Sequence, residues 1–386
     1  MSWMEFILLA VVSAVVTGAA APIVARLAVR IDAVDRPNDR KVSDRSGMPL
    51  LGGFAVALGT MLGISLALQL GIGSNAGGLS YVDGYLLGSS LLIVVGALDD
   101  RFDIKATTKL LVQIAAASAA FYYGVRIAEF REPISGIEYT IPIVISWLVT
   151  MAWIVGVTNA MNLIDGIDGE ATGVGAIIAI TLTMICWQAE QYPGVVLGLA
   201  LFGALVGFLP FNFPPARIFL GDTGALFIGF TLSVLAIESY QGGHRKAALL
   251  TFAIPLLALA VPILDTALAI LRRVRSGRPI FSADRRHMHH RLLASRGAHR
   301  PAVLSLYFLT ACFCMIAVSF AQLRGYTAFI FFGAVVLLTF RLLRNMGVFL
   351  PESELSESEL PGAMSGADPV VPSEDSTPGP GGEKDE

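Results

Sequence analysis

Charged residues are scarce in this chain of 386 residues. Asp, Glu, Lys and Arg make up 15% of it, whereas apolar residues make up 55%. Soluble globular domains carry about 25% charged residues, and the mean hydropathy of +0.69 deviates in the same direction. This composition excludes a soluble globular enzyme, a disordered chain and a disulfide-rich secreted domain. It leaves a polytopic membrane protein.

Cysteine is also scarce, with three residues in the whole chain. Cys186, Cys312 and Cys314 lie within apolar runs, and no CxxC pair or metal-ligand spacing occurs. A free thiol in an apolar helix is usually a small packing residue. The cysteines therefore lend no support to redox or zinc chemistry.

Acidic residues are unevenly distributed, because ten of the 30 lie in 351–386 beside a single base, Lys384. Without this stretch the net charge changes from −3 to +6. The stretch is rich in Pro, Gly and Ser and poor in large apolar residues, which is typical of disorder. We therefore predict a transmembrane domain over 1–345 and an acidic, disordered cytoplasmic tail over 346–386.

Long apolar runs occupy most of the remaining chain. A membrane helix needs about 20 mostly apolar residues, and its backbone must bond internally because the bilayer core holds no water. The sequence therefore predicts an all-α membrane protein with about eleven spans. The runs are 5–25, 50–70, 82–98, 107–124, 141–161, 171–187, 193–210, 223–239, 247–271, 303–322 and 325–343.

The Lys and Arg residues predict the orientation. With eleven spans, 22 of the 27 fall in segments on one side of the membrane and five on the other. Cytoplasmic loops are enriched in these residues, so we predict an outside N-terminus and a cytoplasmic C-terminus. The first run is predicted to be an uncleaved helix, since no base precedes it.

Polar residues cluster in the connections predicted to be cytoplasmic. The segment LDDRFDIKATTKLLVQ, residues 98–113, contains adjacent carboxylates at a helix end, Asp99 and Asp100. Such a pair is costly without a partner. Lys105 and Lys109 are four residues apart and share a helix face. The segment is either a solvated charged loop or a metal or phosphate site.

A second segment, NAMNLIDGIDG over 159–169, has an amide or carboxylate at every third position and no base. On a regular helix its first and last polar groups would point to opposite sides. Gly166 and Gly169 favour a break that lets the groups converge, and such a run favours a cation or polar ligand. The four polar residues are Asn159, Asn162, Asp165 and Asp168.

Two further segments complete the pattern. In FNFPPARIFLGDTG, residues 211–224, Asp222 lies at a predicted helix start. It is either an N-cap or part of a site, since helix N-termini also favour phosphate. In DRRHMHHR, residues 284–291, three histidines suggest zinc, but the neighbouring arginines oppose a dication and suit a pyrophosphate. Acidic and basic segments on one membrane side predict Mg²⁺ with substrate phosphates, and hence phosphoryl transfer.

These four motifs, in this order, resemble those of the polyprenyl-phosphate N-acetylhexosamine-1-phosphate transferases, over residues 30–340. The resemblance implies transfer of a sugar 1-phosphate from a UDP-sugar to undecaprenyl phosphate, release of UMP, and a need for Mg²⁺ or Mn²⁺. It implies a multi-pass protein of the bacterial cytoplasmic membrane. The expected partners are the two substrates and membrane lipid but not nucleic acid, and a homodimer stays open.

The resemblance also implies roles for individual residues. Asp99 and Asp100, near the lipid phosphate, and His289 are expected to be catalytic. Asn162 and Asp222 are expected to contact the metal. Asn212 and Phe219 are expected near the uracil, and the histidine motif near the diphosphate and sugar. The expected substrate-binding residues are Lys41, Lys109, Asn159, Asp165, Asp168, Asn212, Phe219, Arg285, His287 and His290.

The order His287-Met-His289-His290 resembles the branch that uses UDP-GlcNAc and makes GlcNAc-diphospho-undecaprenol, the first membrane step of a cell-envelope glycan pathway. Ser43 and Leu50 depart from the family's usual His and Arg. A phospho-MurNAc-pentapeptide transferase, which usually has an HHH run, or a transferase for another UDP-HexNAc is the alternative. A secondary transporter also fits the span count, but transporters place polar groups near the midplane and often show repeats. Here those groups lie in loops, and we find no repeat.

Overall fold

The computed structural model describes most of the chain as α-helix. The described residues are 2–35, 47–72, 78–131, 138–241, 248–275, 277, 288, 292–293, 298–322 and 326–345. Within these ranges the principal helices are α1 (Trp3–Arg30), α2 (Gly52–Gln69), α3 (Gly78–Phe102), α4 (Ala106–Tyr122), α5 (Ile143–Leu163), α6 (Glu170–Gln188), α7 (Tyr192–Asn212), α8 (Gly221–Gln241), α9 (Ala248–Ala258), α10 (Ala260–Arg275), α11 (His299–Gln322) and α12 (Tyr326–Asn345). Strands β1 (Glu129–Arg131) and β2 (Glu138–Thr140) form a short antiparallel hairpin. The predicted all-α class is confirmed.

Among the described residues, eight helices are long and apolar enough to cross a membrane. This fits a multi-pass membrane protein, but the predicted count of eleven is not confirmed. The predicted fourth span, α4, has 17 residues, and the predicted ninth span is divided into α9 and α10, with 11 and 16 residues. At 1.5 Å per residue, neither α9 nor α10 alone crosses a core about 30 Å thick. Pro262 contributes to the division, because it cannot donate a hydrogen bond to the Ala258 carbonyl.

Close helix packing depends on small residues. In α7, a Cβ added at Gly203 or Gly207 would lie 2.1 or 2.2 Å from the carbonyl oxygens of Ala10 and Ala14 in α1. The two glycines are four residues apart and therefore lie on one face, where they let the backbones approach. Of the eight apolar helices found among the described residues, α8 is the most enclosed, since 89% of its apolar window is buried.

The N-terminus of α8 meets the ends of two other helices. A Cβ at Gly53, near the start of α2, would lie 2.1 Å from the backbone nitrogen of Gly224. A Cβ at Gly96, near the end of α3, would lie 2.5 Å from the Cα of Thr223. Larger residues at these positions would separate the helices. The glycines thus bring the start of α2, the end of α3 and the start of α8 together at one end of the bundle.

The chain divides into two units, Met1–Leu342 and Leu343–Glu386. The site described below lies in the first unit. The predicted tail over 346–386 lies outside the described residues, so its disorder stays a prediction. The orientation of the two ends across the membrane also stays a prediction.

Candidate active site

Asp99 is positioned by the turn that ends α3. Asp103 has a positive φ of 50°, which reverses the chain toward α4. The Asp99 carboxylate accepts a hydrogen bond from the backbone N–H of Ile104 through Oδ1, at 2.8 Å. Its second oxygen, Oδ2, remains directed at the first turns of α4.

Lys109 joins Asp99 to Asp222. Its Nζ lies 2.9 Å from Asp99 Oδ2 and 2.8 Å from Asp222 Oδ2. The side chains of Lys109, Asp99 and Asp222 are 21%, 10% and 27% exposed, so the contact is partly shielded from water and partly accessible. The carboxyl groups of Asp99 and Asp222 thus share one ammonium group and lie close to each other. Two motifs that are more than 100 residues apart therefore meet around one ammonium group.

Asp100 holds the start of α8. Its Oδ1 accepts from the Asp222 N–H at 2.8 Å, and its Oδ2 accepts from the Thr223 N–H at 3.1 Å and the Thr223 hydroxyl at 2.6 Å. Helix N-terminal N–H groups lack intrahelical partners and favour negative charge. Gly221 permits this approach, because it has a φ of 72° and its added Cβ would lie 2.5 Å from Asp100 Oδ2. Asp100 thus acts as an N-cap from another helix, and its expected catalytic role stays a prediction.

The NAMNLIDGIDG segment breaks as the glycines indicate. Helix α5 ends at Leu163, and α6 follows Gly169, which has a φ of 77°. The Asn162 amide group lies beside the Asp222 carboxylate and interacts favourably with its negative charge. Burial raises the pKa of Asp165 well above its usual value, and the Asp222 carboxylate raises it further. Asn162 and Asp165 thus lie near the Asp222 side of the Asp99–Lys109–Asp222 cluster.

Asn159 and Asp168 have other partners. Asn159 Nδ2 donates to Gln113 Oε1 at 2.6 Å, and Gln113 Nε2 donates back to Asn159 Oδ1 at 3.3 Å. Asp168 Oδ2 accepts from the backbone N–H of Ala216 at 2.8 Å. The Asn159–Gln113 bonds link α5 to α4. The Asp168–Ala216 bond links the 164–169 connection to the segment before α8. The expected substrate contacts of Asn159 and Asp168 stay predictions.

Asn212 and Phe219 bracket the segment between α7 and α8. Asn212 is 2% exposed, accepts from the Thr172 hydroxyl at 2.6 Å and donates to the Ile218 carbonyl at 3.0 Å. The backbone of Phe219 donates to the Pro49 carbonyl at 2.9 Å. The bonds of Asn212 hold the segment in place. The expected contacts of both residues with the uracil remain untested.

Five of the expected residues lie outside the described residues. They are Lys41, Arg285, His287, His289 and His290. Described residues close to them in the sequence are held by hydrogen bonds. Asp35, just before the segment that contains Lys41, donates its N–H to the Met48 carbonyl at 2.8 Å. Met288, within the histidine motif, is buried and donates its N–H to Asp265 Oδ1 at 2.8 Å.

Several residues that build the site have weak sequence signals. Gln113 lies four residues after Lys109 and so shares its helix face, which could have pointed to it. Thr223 belongs to a segment already noted as a helix start. Asp265 is the one charged residue in the apolar run 247–271, and an isolated charge within a membrane segment is itself a signal.

The described donors suit a metal that is shared with a substrate. Among the described residues, no group of three or more His, Cys, Asp or Glu side chains could hold a metal ion. Mg²⁺, however, is commonly bound by one or two carboxylates, with water and substrate phosphates completing its shell. Asp222 provides a carboxylate, and Asn162 beside it provides an amide oxygen. These two expected metal contacts therefore fit such an ion chemically.

Comparison with known proteins is consistent with these motifs. A family model described as "Glycosyl transferase family 4" matches residues 82–240. A Bacillus subtilis protein named "Probable undecaprenyl-phosphate N-acetylglucosaminyl 1-phosphate transferase" is 35% identical over 300 residues, which cover 77% of this chain and 80% of that protein.

Two other relatives have similar coverage. "Decaprenyl-phosphate N-acetylglucosaminephosphotransferase" of Mycobacterium tuberculosis is 35% identical over 354 residues, covering 86% of this chain and 87% of the relative. "Undecaprenyl-phosphate alpha-N-acetylglucosaminyl 1-phosphate transferase" of Escherichia coli is 28% identical over 301 residues, covering 76% and 78%. The chain therefore belongs to glycosyl transferase family 4.

Proposed function

We propose that this chain is a polyprenyl-phosphate sugar-1-phosphate transferase that uses UDP-GlcNAc and undecaprenyl phosphate. It releases UMP and forms GlcNAc-diphospho-undecaprenol. The names of the relatives support the reaction class, because they combine a polyprenyl phosphate with an N-acetylglucosamine phosphate group. The histidine order His287-Met-His289-His290 supports the choice of UDP-GlcNAc as donor.

The Asp99–Lys109–Asp222 cluster is the observation that carries the proposal. An ammonium group 2.9 and 2.8 Å from two carboxylates is both held in place and partly exposed. In the proposed reaction, Lys109 attracts phosphate oxygens of the substrates to this cluster. Phosphoryl transfer depends mainly on positioning and charge neutralisation, and a fixed ammonium group supplies both.

The chemical step is a direct displacement. An oxygen of the lipid phosphate attacks the β-phosphorus of UDP-GlcNAc, and the bond from that phosphorus to the UMP oxygen breaks. Phosphate monoesters are largely dianionic at neutral pH, since their second pKa is about 6. Asp99 therefore orients the lipid phosphate, through Lys109, or takes up a residual proton. A covalent aspartyl intermediate is the alternative.

A divalent ion, Mg²⁺ or Mn²⁺, would be held by Asp222 and Asn162. When bound, it would neutralise negative charge on the diphosphate. Asp165 and Asp168 shape this side of the site through the 164–169 connection. Arg285 and the three histidines are proposed to hold the diphosphate and sugar, His289 with a catalytic role, and Lys41 is proposed to face the nucleotide.

The proposed setting is the bacterial cytoplasmic membrane, with the site on the cytoplasmic side. Both proposed substrates suit this placement, because one is a membrane lipid and the other a soluble nucleotide sugar. The clustering of Lys and Arg in the motif connections supports the orientation.

The deciding experiment is a UMP-release assay on the purified chain in detergent with Mg²⁺. We expect UMP from UDP-GlcNAc when undecaprenyl phosphate is present and none when it is omitted. Decaprenyl phosphate tests the lipid length, while UDP-MurNAc-pentapeptide and UDP-GalNAc test the donor. If UMP is released faster from either competing donor, that donor is the substrate and UDP-GlcNAc is not. A transporter would release no UMP under any of these conditions.

A further inference from the structure

The N-terminal half of α11 packs against three motif segments at once. Ala302 and Val303 are fully buried against Ile167 of the 164–169 connection. Phe213, from the segment before α8, and Leu292, just after the histidine motif, pack on the same cluster. The matched family region ends at residue 240, so α11 contributes to the site from beyond it.

Two polar side chains of α11 reinforce this packing. The Tyr307 hydroxyl donates to the Gly169 carbonyl at 2.5 Å, and Arg300 Nε donates to the Pro214 carbonyl at 2.7 Å. Tyr307 and Arg300 are seven residues apart, about two helical turns, and therefore lie on one face. This face of α11 is therefore hydrogen-bonded to the backbone of the 164–169 connection and to the backbone of the segment before α8.

The tyrosine ring is closely fitted. A Cβ added at Gly173, in the first turn of α6, would lie 2.0 Å from Tyr307 Cζ. The absence of a side chain at Gly173 lets the hydroxyl reach the Gly169 carbonyl. The guanidinium of Arg300 lies 6.0 Å from the centre of the Phe213 ring, which adds a weak cation–π contact.

The two joined segments carry four residues of the expected donor site. Asp165 and Asp168 lie in the first segment, while Asn212 and Phe219 flank the second. The segments are also linked to each other by the bond from the Ala216 N–H to Asp168. The Asp99–Lys109–Asp222 cluster, in contrast, is held by bonds to Asp100 and Ile104 that do not involve α11.

We propose that Tyr307 and Arg300 are positioning residues that set the affinity of the enzyme for the nucleotide part of its donor. This inference rests on the proposed function. Loss of either bond loosens the segments around the nucleotide but leaves the cluster around Lys109 intact. The expected signature is weaker nucleotide binding with little change in kcat.

The test is UMP binding, measured by calorimetry on the full-length protein in detergent with Mg²⁺. Tyr307→Phe removes only the hydroxyl and keeps the packed ring. One neutral hydrogen bond corresponds to about a three- to tenfold change in an equilibrium, so UMP should bind three- to tenfold more weakly. KM for UDP-GlcNAc should rise by the same factor, while kcat stays within about twofold.

Tyr122→Phe is the matched control, because Tyr122 is 84% exposed and its ring contact with Tyr123 survives the change. It should bind UMP normally. Arg300→Met gives an independent second variant at an exposed position, with the same expected loss. Gly173→Ala should reproduce the Tyr307→Phe result by displacing the ring.

The possible outcomes separate the two proposals. If the unaltered protein binds no UMP and releases none, the proposed function is wrong and this inference is wrong with it. If the unaltered protein binds UMP and the Tyr307→Phe and Arg300→Met variants bind it equally well, the positioning role alone is wrong. A fall in kcat at unchanged UMP affinity would also overturn it, since that pattern belongs to the chemical step.

Discussion

Replacing Lys109 with methionine should have opposite effects on metal binding and on turnover. The ammonium group of Lys109 contacts Asp222 Oδ2 at 2.8 Å and Asp99 Oδ2 at 2.9 Å. If Asp222 binds the divalent ion as proposed, the ion and the ammonium group compete for the same oxygen. Methionine keeps much of the side-chain volume but removes the competing charge.

The size of the effect follows from charge and exposure. Two unit charges about 4 Å apart interact by roughly 4 kcal/mol at an effective dielectric constant of ~20. All three side chains are partly exposed, and solvent screening reduces this energy. We expect a net gain of about 1–2 kcal/mol in the binding of Mn²⁺, which is roughly a five- to thirtyfold lower Kd.

Turnover should fall in the same variant. The proposed reaction uses Lys109 to neutralise phosphate oxygens, and loss of one preorganised electrostatic contact typically costs about 10²-fold. Tighter metal binding therefore does not rescue activity. Lys105→Met is the control, because Lys105 is exposed at the start of α4. It should change neither quantity more than about twofold.

Mn²⁺ binding is measured by the electron paramagnetic resonance signal of the free ion, without substrate, and turnover by UMP release. Unchanged or weaker Mn²⁺ binding in Lys109→Met would refute the competition. Near-normal turnover would refute the role of Lys109 at the phosphate.

Four further changes test other parts of the site. Asp222→Asn keeps the shape but removes the charge, so activity should fall by about 10²-fold or more in a folded protein; an active variant with unchanged Mg²⁺ dependence would reduce Asp222 to a helix-start residue. In Asp100→Asn, the amide cannot accept all three hydrogen bonds at the start of α8, so the free energy of unfolding should fall by about 1–3 kcal/mol, measured as a lower Tm. Asp103→Asn, at an exposed position, is the control and should keep the Tm of the unaltered protein. Equal Tm values for the two variants would contradict the capping role of Asp100. His289→Gln should lower kcat/KM for UDP-GlcNAc by about 10- to 10³-fold without loss of folding; His289 lies outside the described residues. Stoichiometric zinc in the purified protein would contradict the diphosphate role of the histidine motif. Truncation after Leu350 should leave turnover unchanged, because no motif lies in the tail; a large loss at equal folded protein would place the tail in the site.

Membrane architecture could be predicted from the sequence because it depends on local composition. Scarce charge and long apolar runs require helices whose backbone bonds internally, and the described residues confirm an all-α class. The number of spans was harder to predict from the sequence. A continuous apolar run such as 247–271 does not reveal that the chain divides into α9 and α10, because hydropathy does not record where a proline interrupts hydrogen bonding.

Part of the site was also predictable. The clustering of Asp99, Lys109, Asn162 and Asp222 follows from polar residues placed at the ends of apolar helices, where they are costly without partners. Glycines at 166 and 169 correctly indicated the break after α5. Asn159 and Asp100 show the limit, because a polar side chain in a motif can serve either a ligand or a neighbouring helix, and the sequence is the same in both cases.

The sequence by itself determined that this is a helical membrane protein with a polar site at the helix ends, since burial of apolar residues and the cost of unpaired charge are local properties. The tertiary structure decided which charged side chains contact one another and which instead form hydrogen bonds that hold neighbouring helices in place. Lys109 faces both Asp99 and Asp222 because Gly53 and Gly96 let α2 and α3 approach α8 closely. Asp100 turns to the start of α8, and Tyr307 reaches Gly169 from 138 residues away. Contacts of this kind depend on the packing of distant helices, which no local pattern of residues encodes.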